Sequence, residues 1–354
     1  MAVTIKDVAR EARVSVASVS RALNGHQSMT ERTRGRILGV AASLRYIPHA
    51  NARSLITRRT HTIGALLPDL HGEFFSELIR GIDLAARARG LHLLVSSSHG
   101  DAAEAGAALR ALQGRVDGLL VMWPHLQSAF LHDNLPDTLP TVLLNTAAER
   151  AGSSILNVDN YGGARAMTQH LRARGYRRVA MIGGPDGNFD AGERLRGYHD
   201  ALAEGSAQPQ VIAGDFTEES GHRAGKLLLG MPQRPQAVFA ANDMMAVGCL
   251  YALIEAGVRV PHDIALAGFD DIPISRYVNP PLTTVRVRIA ELGRSALERL
   301  ALRLENPDSE QTPPETLGCE IVVRASCGVT ANIPVRHKNN IHQIDSRIPT
   351  EGPP

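Results

Sequence analysis

The sequence predicts a small all-α helix-turn-helix head joined to a larger α/β body built as two doubly wound, parallel-sheet lobes. Three observations predict it. The chain has 354 residues, more than one ordinary core spans. Short helical stripes crowd its first fifty or so residues (roughly one small module). From Thr62 onward, apolar runs alternate with helical stripes, the pattern of buried parallel sheet covered by helices.

The first element is a helix after Thr4, its N-cap, with Ile5, Val8, Ala9 and Ala12 on one face. A second begins after Ser15, where Val16, Val19 and Leu23 mark a stripe. About three residues separate the two, the spacing of a helix-turn-helix. A third, capped by Thr30, carries Ile37, Val40, Ala41 and Leu44 and closes a three-helix core. The second helix is small and polar on its outer side. A helix that enters a major groove about 12 Å wide needs small or flexible outward side chains that hydrogen-bond. Val16, Ala17, Ser20 and Arg21 meet that need: Arg21 suits guanine, and Val16 or Ala17 a thymine methyl.

Charge supports this reading. Residues 1–59 hold eleven Lys/Arg against Asp7, Glu11 and Glu31, a surplus of eight, while the remainder carries 27 basic and 33 acidic residues. A basic head on a mildly acidic body is the pattern of a nucleic-acid-binding module joined to something else.

At these residues the chain resembles the lactose-repressor (LacI/GalR) family of bacterial transcription regulators. The resemblance rests on "TIKDVAREARVSVASVSRALN" and "LRYIPHANARSL". It continues through "TIGALLPDL", "VDNYGGA", "ERLRGY", "ANDMMAVG" and "GFDDIPISRYVNPPLTTV", covering roughly residues 3–330. It implies a DNA-binding head (1–47) in which Thr4, Ser15, Val16, Ala17, Ser18, Ser20, Arg21 and Asn24 face DNA. It also implies a periplasmic-binding-protein-like body. Two departures stand in the head. The family usually has Gly where Arg13 stands, and Asn where His49 stands. If that turn needs φ > 0, Arg13 costs on the order of 1 kcal/mol.

Residues 48–60 join head to body. By itself "ANARSLITRR" fits a linker with Leu55 packed on the body, since about two helical turns are too short to stand alone. The resemblance implies instead a hinge helix that folds on DNA, wedges Leu55 between minor-groove base steps, and sets Asn51 and Arg53 in the groove.

The body's strands are expected at "IGALL", "LHLLV", "GLLVM", "TVLLN", "ILNV", "VAMIG", "VIAG", "AVFAA", "IALAGF" and "TTVRV". Helices lie between most of them, such as Phe75, Leu78, Ile79, Ile82 and Ala86, ended by Gly90. The lobes are expected at 61–158 plus 287–317 and at 159–286 plus 318–333, with crossings near Asp159, Val285 and Gly318. Residues 334–354 lack any stripe and are expected to be disordered.

Ligands of such sheets sit outside the carboxyl ends of the strands. Asp69, Asn145, Asn242 and Asp270 fall there, with Phe216 and Trp123 as aromatic plates. Carboxylates and amides around such a plate suit a polyhydroxylated ligand, which both donates and accepts. The resemblance adds Arg194 and Phe74 to this effector site. Asp243 reads as a helix N-cap, and Asp271 as a turn brace. The segment "LHGEFF" stands where many relatives read "SNPFF".

Other classes fit less well. No GxGxxG lies between a strand and a helix, and no GxSxG is present, so a nicotinamide enzyme or a hydrolase is not expected. Cys249, Cys319 and Cys327 lack CxxC spacing, and no zinc pattern or cofactor motif appears. No apolar run reaches a membrane span's length, and no signal peptide is evident, which points to the cytoplasm and away from a periplasmic solute-binding protein. The expectation is a non-enzymatic, sequence-specific transcription regulator, a repressor acting as a homodimer on a near-palindromic operator. Its effector is expected to be a sugar or sugar derivative, with a nucleobase or other corepressor as the alternative.

Overall fold

The computed structural model describes residues 3–23, 29–46, 59–123, 128–136, 138–147, 153–204, 208–306 and 313–328. Asn24, Asn51, Arg53 and Leu55, most of the expected 48–60 joint, and the 334–354 tail lie outside the described residues.

The head is three helices, α1 (Ile5–Glu11), α2 (Val16–Leu23) and α3 (Glu31–Ser43). Each starts where a polar side chain meets backbone amides that have no partner within the helix. Asp7 Oδ2 accepts from the Thr4 amide at 3.0 Å and the Thr4 hydroxyl at 2.7 Å. The Ser18 amide donates to Ser15 Oγ at 3.1 Å, and the Thr33 amide to Thr30 Oγ1 at 3.4 Å. Val8, Ala9, Ala12, Val19, Ala22, Ile37 and Ala41 form the core, with Val14, Leu23, Val40 and Leu44 packed against it. Arg13 has φ of 52°. Its amide bonds the Arg10 carbonyl and the next amide bonds that of Ala9, a paired closure of α1 that requires a left-handed residue. The strained conformation that Gly would adopt freely is therefore real, and arginine occupies it.

In chain order the body comprises β1 (Thr62–Leu67), α4 (Glu73–Ala88), β2 (His92–Ser97), α5 (Ala102–Leu112), β3 (Gly118–Met122), α6 (Ser128–Asn134), β4 (Thr141–Leu144) and β5 (Ser154–Val158). There follow α7 (Asn160–Ala173), β6 (Val179–Ile182), α8 (Phe189–Ala203), β7 (Gln210–Ile212), α9 (Glu218–Leu229), β8 (Ala237–Ala240), α10 (Asp243–Glu255) and β9 (Ala265–Asp270). It closes with a 3₁₀ turn (Pro273–Arg276), β10 (Thr283–Arg286), α11 (Ile289–Glu305), β11 (Glu315–Leu317), β12 (Glu320–Val322) and a second 3₁₀ turn (Ala325–Cys327).

The strands form two six-stranded sheets, ordered β11-β5-β4-β3-β1-β2 and β12-β10-β9-β8-β6-β7. The first is parallel throughout, and the second is parallel except where β12 runs against β10. All ten strands read from the sequence are present; β11 and β12 are additional. The chain passes between the sheets after β5, after β10 and between β11 and β12. Buried runs such as Gly118–Met122 and Ala237–Ala240 are covered by helices on both faces, which explains their unbroken apolarity. Among the described residues, no helix is long and apolar enough to cross a membrane.

Candidate functional site

In the head, Ser15, Val16, Ala17 and Arg21 are exposed at one end and side of α2, while Val19 and Ala22 are buried. An exposed valine (41%) beside Ala17 is an apolar contact surface that the head does not use internally. Ser18 and Ser20 are half-buried, and Ser15 Oγ lies 2.9 Å from Ser18 Oγ. Thr4 is exposed, but its hydroxyl proton is given to Asp7, so any approach to a phosphate must break that bond or use the oxygen as acceptor.

In the body, a cleft of about 280 Å³ opens at the carboxyl ends of β1, β3, β6, β7, β8 and β9. Of the residues expected at an effector site, Asp69, Phe74, Arg194, Phe216, Asn242 and Asp270 line it; Asn145 does not. The side-chain amide of Asn145 is buried behind the wall, donating to Asp190 Oδ2 at 3.0 Å and accepting from the Val158 amide at 3.2 Å. Trp123 also lies off the cleft, edge-on to Phe130 at 4.5 Å in the packing between helices and the first sheet. The aromatic walls are Phe74, Phe75 and Phe216.

Arg194 on α8 is 4% exposed and organises the floor. Its Nε donates to Asn160 Oδ1 at 2.8 Å, its Nη1 to the Ala241 carbonyl at 2.6 Å, and its Nη2 lies 3.2 Å from Asp270 Oδ1. The guanidinium also stacks over Phe269, 3.9 Å from the ring centre. Burial of this arginine is tolerated because its Nε, Nη1 and Nη2 each face a polar partner. Asp190, four residues earlier on the same helix face, accepts from Asn160 and Asn145. Burial pushes the Asp190 carboxyl up to about 6 and that of Asp270 up to about 7, with Arg194 pulling both the other way.

Asn242 caps α10, accepting from the Met245 amide at 2.9 Å, and donates to the Phe216 carbonyl at 3.0 Å. It is therefore the N-cap, and Asp243 is not. Asp243 is fully buried, accepts from Thr284 Oγ1 at 2.6 Å and the Ile272 amide at 3.0 Å, and burial raises its pKa well above the ordinary value. Asp271 braces more than a turn: Arg324, Arg286 and Ser275 all donate to it. Three residues expected at the site hold left-handed backbone, Asn145 at φ 48°, Phe216 at 72° and Asp270 at 110°. Non-glycine residues at positive φ cost energy and gather where function requires them.

Asp190, Asn160 and Asp215 were not anticipated. "FDAGERLRGY" does place Asp190 and Arg194 four residues apart, hence on one helix face, which is the signal that would have found the pair.

Residues 4–49 match the family model for bacterial regulatory proteins of the lacI family, and residues 168–327 that for a periplasmic binding protein-like domain. The chain is 37% identical over 314 residues to the ribose operon repressor of Escherichia coli (strain K12), covering 87% of this chain and 95% of that protein. It is 34% identical over 332 residues to the transcriptional repressor CytR of the same strain, covering 92% and 96%. Among solved structures, the Lac repressor dimer bound to operator and the anti-inducer ONPF aligns with a TM-score of 0.82 at 29% identity, covering 92% of this chain and 99% of that one. A LacI family regulator from Enterococcus faecium with bound ribose aligns at 0.69 and 26% identity, covering 75% and 98%. The chain belongs to the lacI family of bacterial regulatory proteins and is a transcription regulator, not an enzyme.

Proposed function

We propose that the protein represses transcription by gripping a near-palindromic operator as a homodimer, and that a carbohydrate in the cleft sets how tightly it grips. The observation that carries the effector reading is the floor of the cleft. There the Asp270 carboxylate, 3.2 Å from the Arg194 guanidinium, stands on the wall with Asp190, Asn188 and Asn242. Carboxylates and amides of this kind suit ligand hydroxyls, and phenylalanine walls suit the apolar side of a sugar ring. Relatives that carry ribose in their names or bound in their structures agree with this class of ligand. In this reading Arg21, Val16 and Ala17 contact base edges, and Asn51, Arg53 and Leu55 serve the joint.

The test is a selection for the operator, followed by thermal-shift measurement of the full-length protein against a panel of sugars and nucleobases. A sugar that raises Tm and changes operator affinity is the expected result. A nucleobase that does so while every sugar is silent would overturn the carbohydrate reading and leave the regulator standing.

A further inference from the structure

The amino ends of the second sheet, opposite the cleft, carry a basic patch that neither the cleft nor the head uses. Two loops build it, one between α7 and β6 and one between α9 and β8. Arg174, Arg177 and Arg178 of the first loop and Arg234 of the second are exposed. The loops are tied into one surface. Gln236 Oε1 accepts from the Arg177 amide at 2.8 Å and the Arg178 amide at 3.1 Å, and Arg178 Nε donates to the Arg234 carbonyl at 3.1 Å. The nearby carboxylates Glu204 and Asp263 are held by Arg165 and Arg259 instead.

The null explanation is that these arginines only answer helix ends, and magnitudes decide against it. Helices α7 and α9 end at this face, and each end contributes about half a negative charge. Arg234 Nε donates to the Leu229 carbonyl at 3.0 Å, and Arg174 Nη2 to the Gly328 carbonyl at 2.7 Å. Two ends offset about one of four charges. The rest stands unneutralised on a body with 27 basic and 33 acidic residues beyond position 59. The chain after Gly328 adds no negative surplus, since residues 329–354 carry Arg336, Lys338 and Arg347 against Asp345 and Glu351. The carbonyl bonds steady the side chains, yet a guanidinium has five N–H donors and keeps several to spare.

A protein partner needs apolar or aromatic anchors. Neither loop exposes a large apolar side chain, and the Tyr176 hydroxyl is spent on the Cys327 carbonyl at 3.3 Å. Guanidiniums without such anchors suit phosphate oxygens, which they grip in pairs of N–H bonds. A duplex presents phosphates in series, and this chain works on DNA.

We infer that this end of the second lobe is a further, sequence-independent DNA contact, through which a protein seated on its operator holds another duplex segment. The test saturates the full-length protein with the operator duplex that selection recovers. A random-sequence duplex with a second fluorophore is then added, and two-colour sedimentation reads its uptake across a range of salt. Uptake is expected with Kd on the order of 10⁻⁵ M, falling with salt at a log–log slope of about −3 to −4 for four phosphate contacts. In Arg174→Gln/Arg177→Gln/Arg234→Gln it should weaken at least about tenfold, with operator affinity and Tm unchanged. Should that variant fold poorly, Arg177→Gln alone replaces a guanidinium that makes no bond among the described residues. It should reduce the slope by about one. No uptake by the loaded protein, or uptake that neither variant alters, overturns the inference. Binding of phosphatidylglycerol vesicles in place of the second duplex, lost in the same variants, overturns it in favour of a membrane surface.

Discussion

Arg194 is the side chain on which the cleft floor depends. Two carboxylates flank it, and its removal would leave both buried with no cation beside them. Breaking a buried pair from one side costs several kcal/mol, because the remaining charge is neither paired nor hydrated. Arg194→Ala is therefore expected to lose about 3 kcal/mol of body stability and all response to the effector. A Tm equal to that of the unaltered protein would show the floor to be held some other way. The same residues set a pH dependence. Asp190 and Asp270 sit above the ordinary carboxylate range in the folded protein, so folding takes up protons and the free body loses stability as pH rises through about 6 to 7. Titratable groups facing this pair are Arg194, Glu193 and, toward Asp270, the buried Asp243, whose own pKa burial raises. Ligand hydroxyls favour the charged carboxylates, so binding releases protons and tightens as pH rises. The ligand-induced gain in Tm should thus be larger near about pH 8 than near about pH 5.5. An equal gain at both would mean that the ligand donates nothing to these carboxylates.

At the scale of elements, two backbone positions make opposite demands. Arg13 holds a left-handed turn that glycine adopts without penalty. Arg13→Gly is expected to stabilise the head by roughly 0.5–1 kcal/mol, seen as slower amide exchange in α1 and α2 of the full-length protein. Faster exchange would mean that the arginine side chain contributes more than its strain removes. Gly248 on α10 is the reverse case. A Cβ there would lie 1.9 Å from the Glu218 carbonyl oxygen at the start of α9, so the two helices can pack this closely only through glycine. Gly248→Ala should cost about 1–3 kcal/mol, while Gly192→Ala on α8, which meets open space, should be neutral or mildly stabilising. Equal effects would refute the packing argument.

Legibility followed burial. Strands such as Val-Ala-Met-Ile and Ala-Val-Phe-Ala read clearly because both faces are covered. Strands β11 and β12 are three residues each, partly exposed and charged at one end, and so give no period to read. Aspartates and asparagines at strand ends stood out as a cluster, yet sequence could not separate Asp270 on the wall from Asn145 behind it, because both end a buried strand. The deeper members, Asp190 and Asn160, sit in first turns of helices, where polar residues are ordinary and draw no notice.

At the scale of the whole molecule, the lobes meet across the cleft as well as through their crossing strands. The Ile274 amide of the second lobe donates to Glu73 Oε2 at 2.8 Å, and Asn160 stands beside the first crossing while bonding both Arg194 and Asp190. A ligand on the floor therefore touches groups that tie one lobe to the other. It can shift DNA binding only through different affinity for two lobe arrangements. Couplings of this kind typically amount to about 1–3 kcal/mol, a 5–150-fold change in affinity. The decisive measurement is operator affinity of the full-length protein, by fluorescence anisotropy at fixed salt, with and without saturating amounts of the sugar that raises its Tm. A change of about fivefold or more, absent in Arg194→Ala, is the predicted result. An operator affinity unmoved by a sugar that demonstrably fills the cleft would contradict the account.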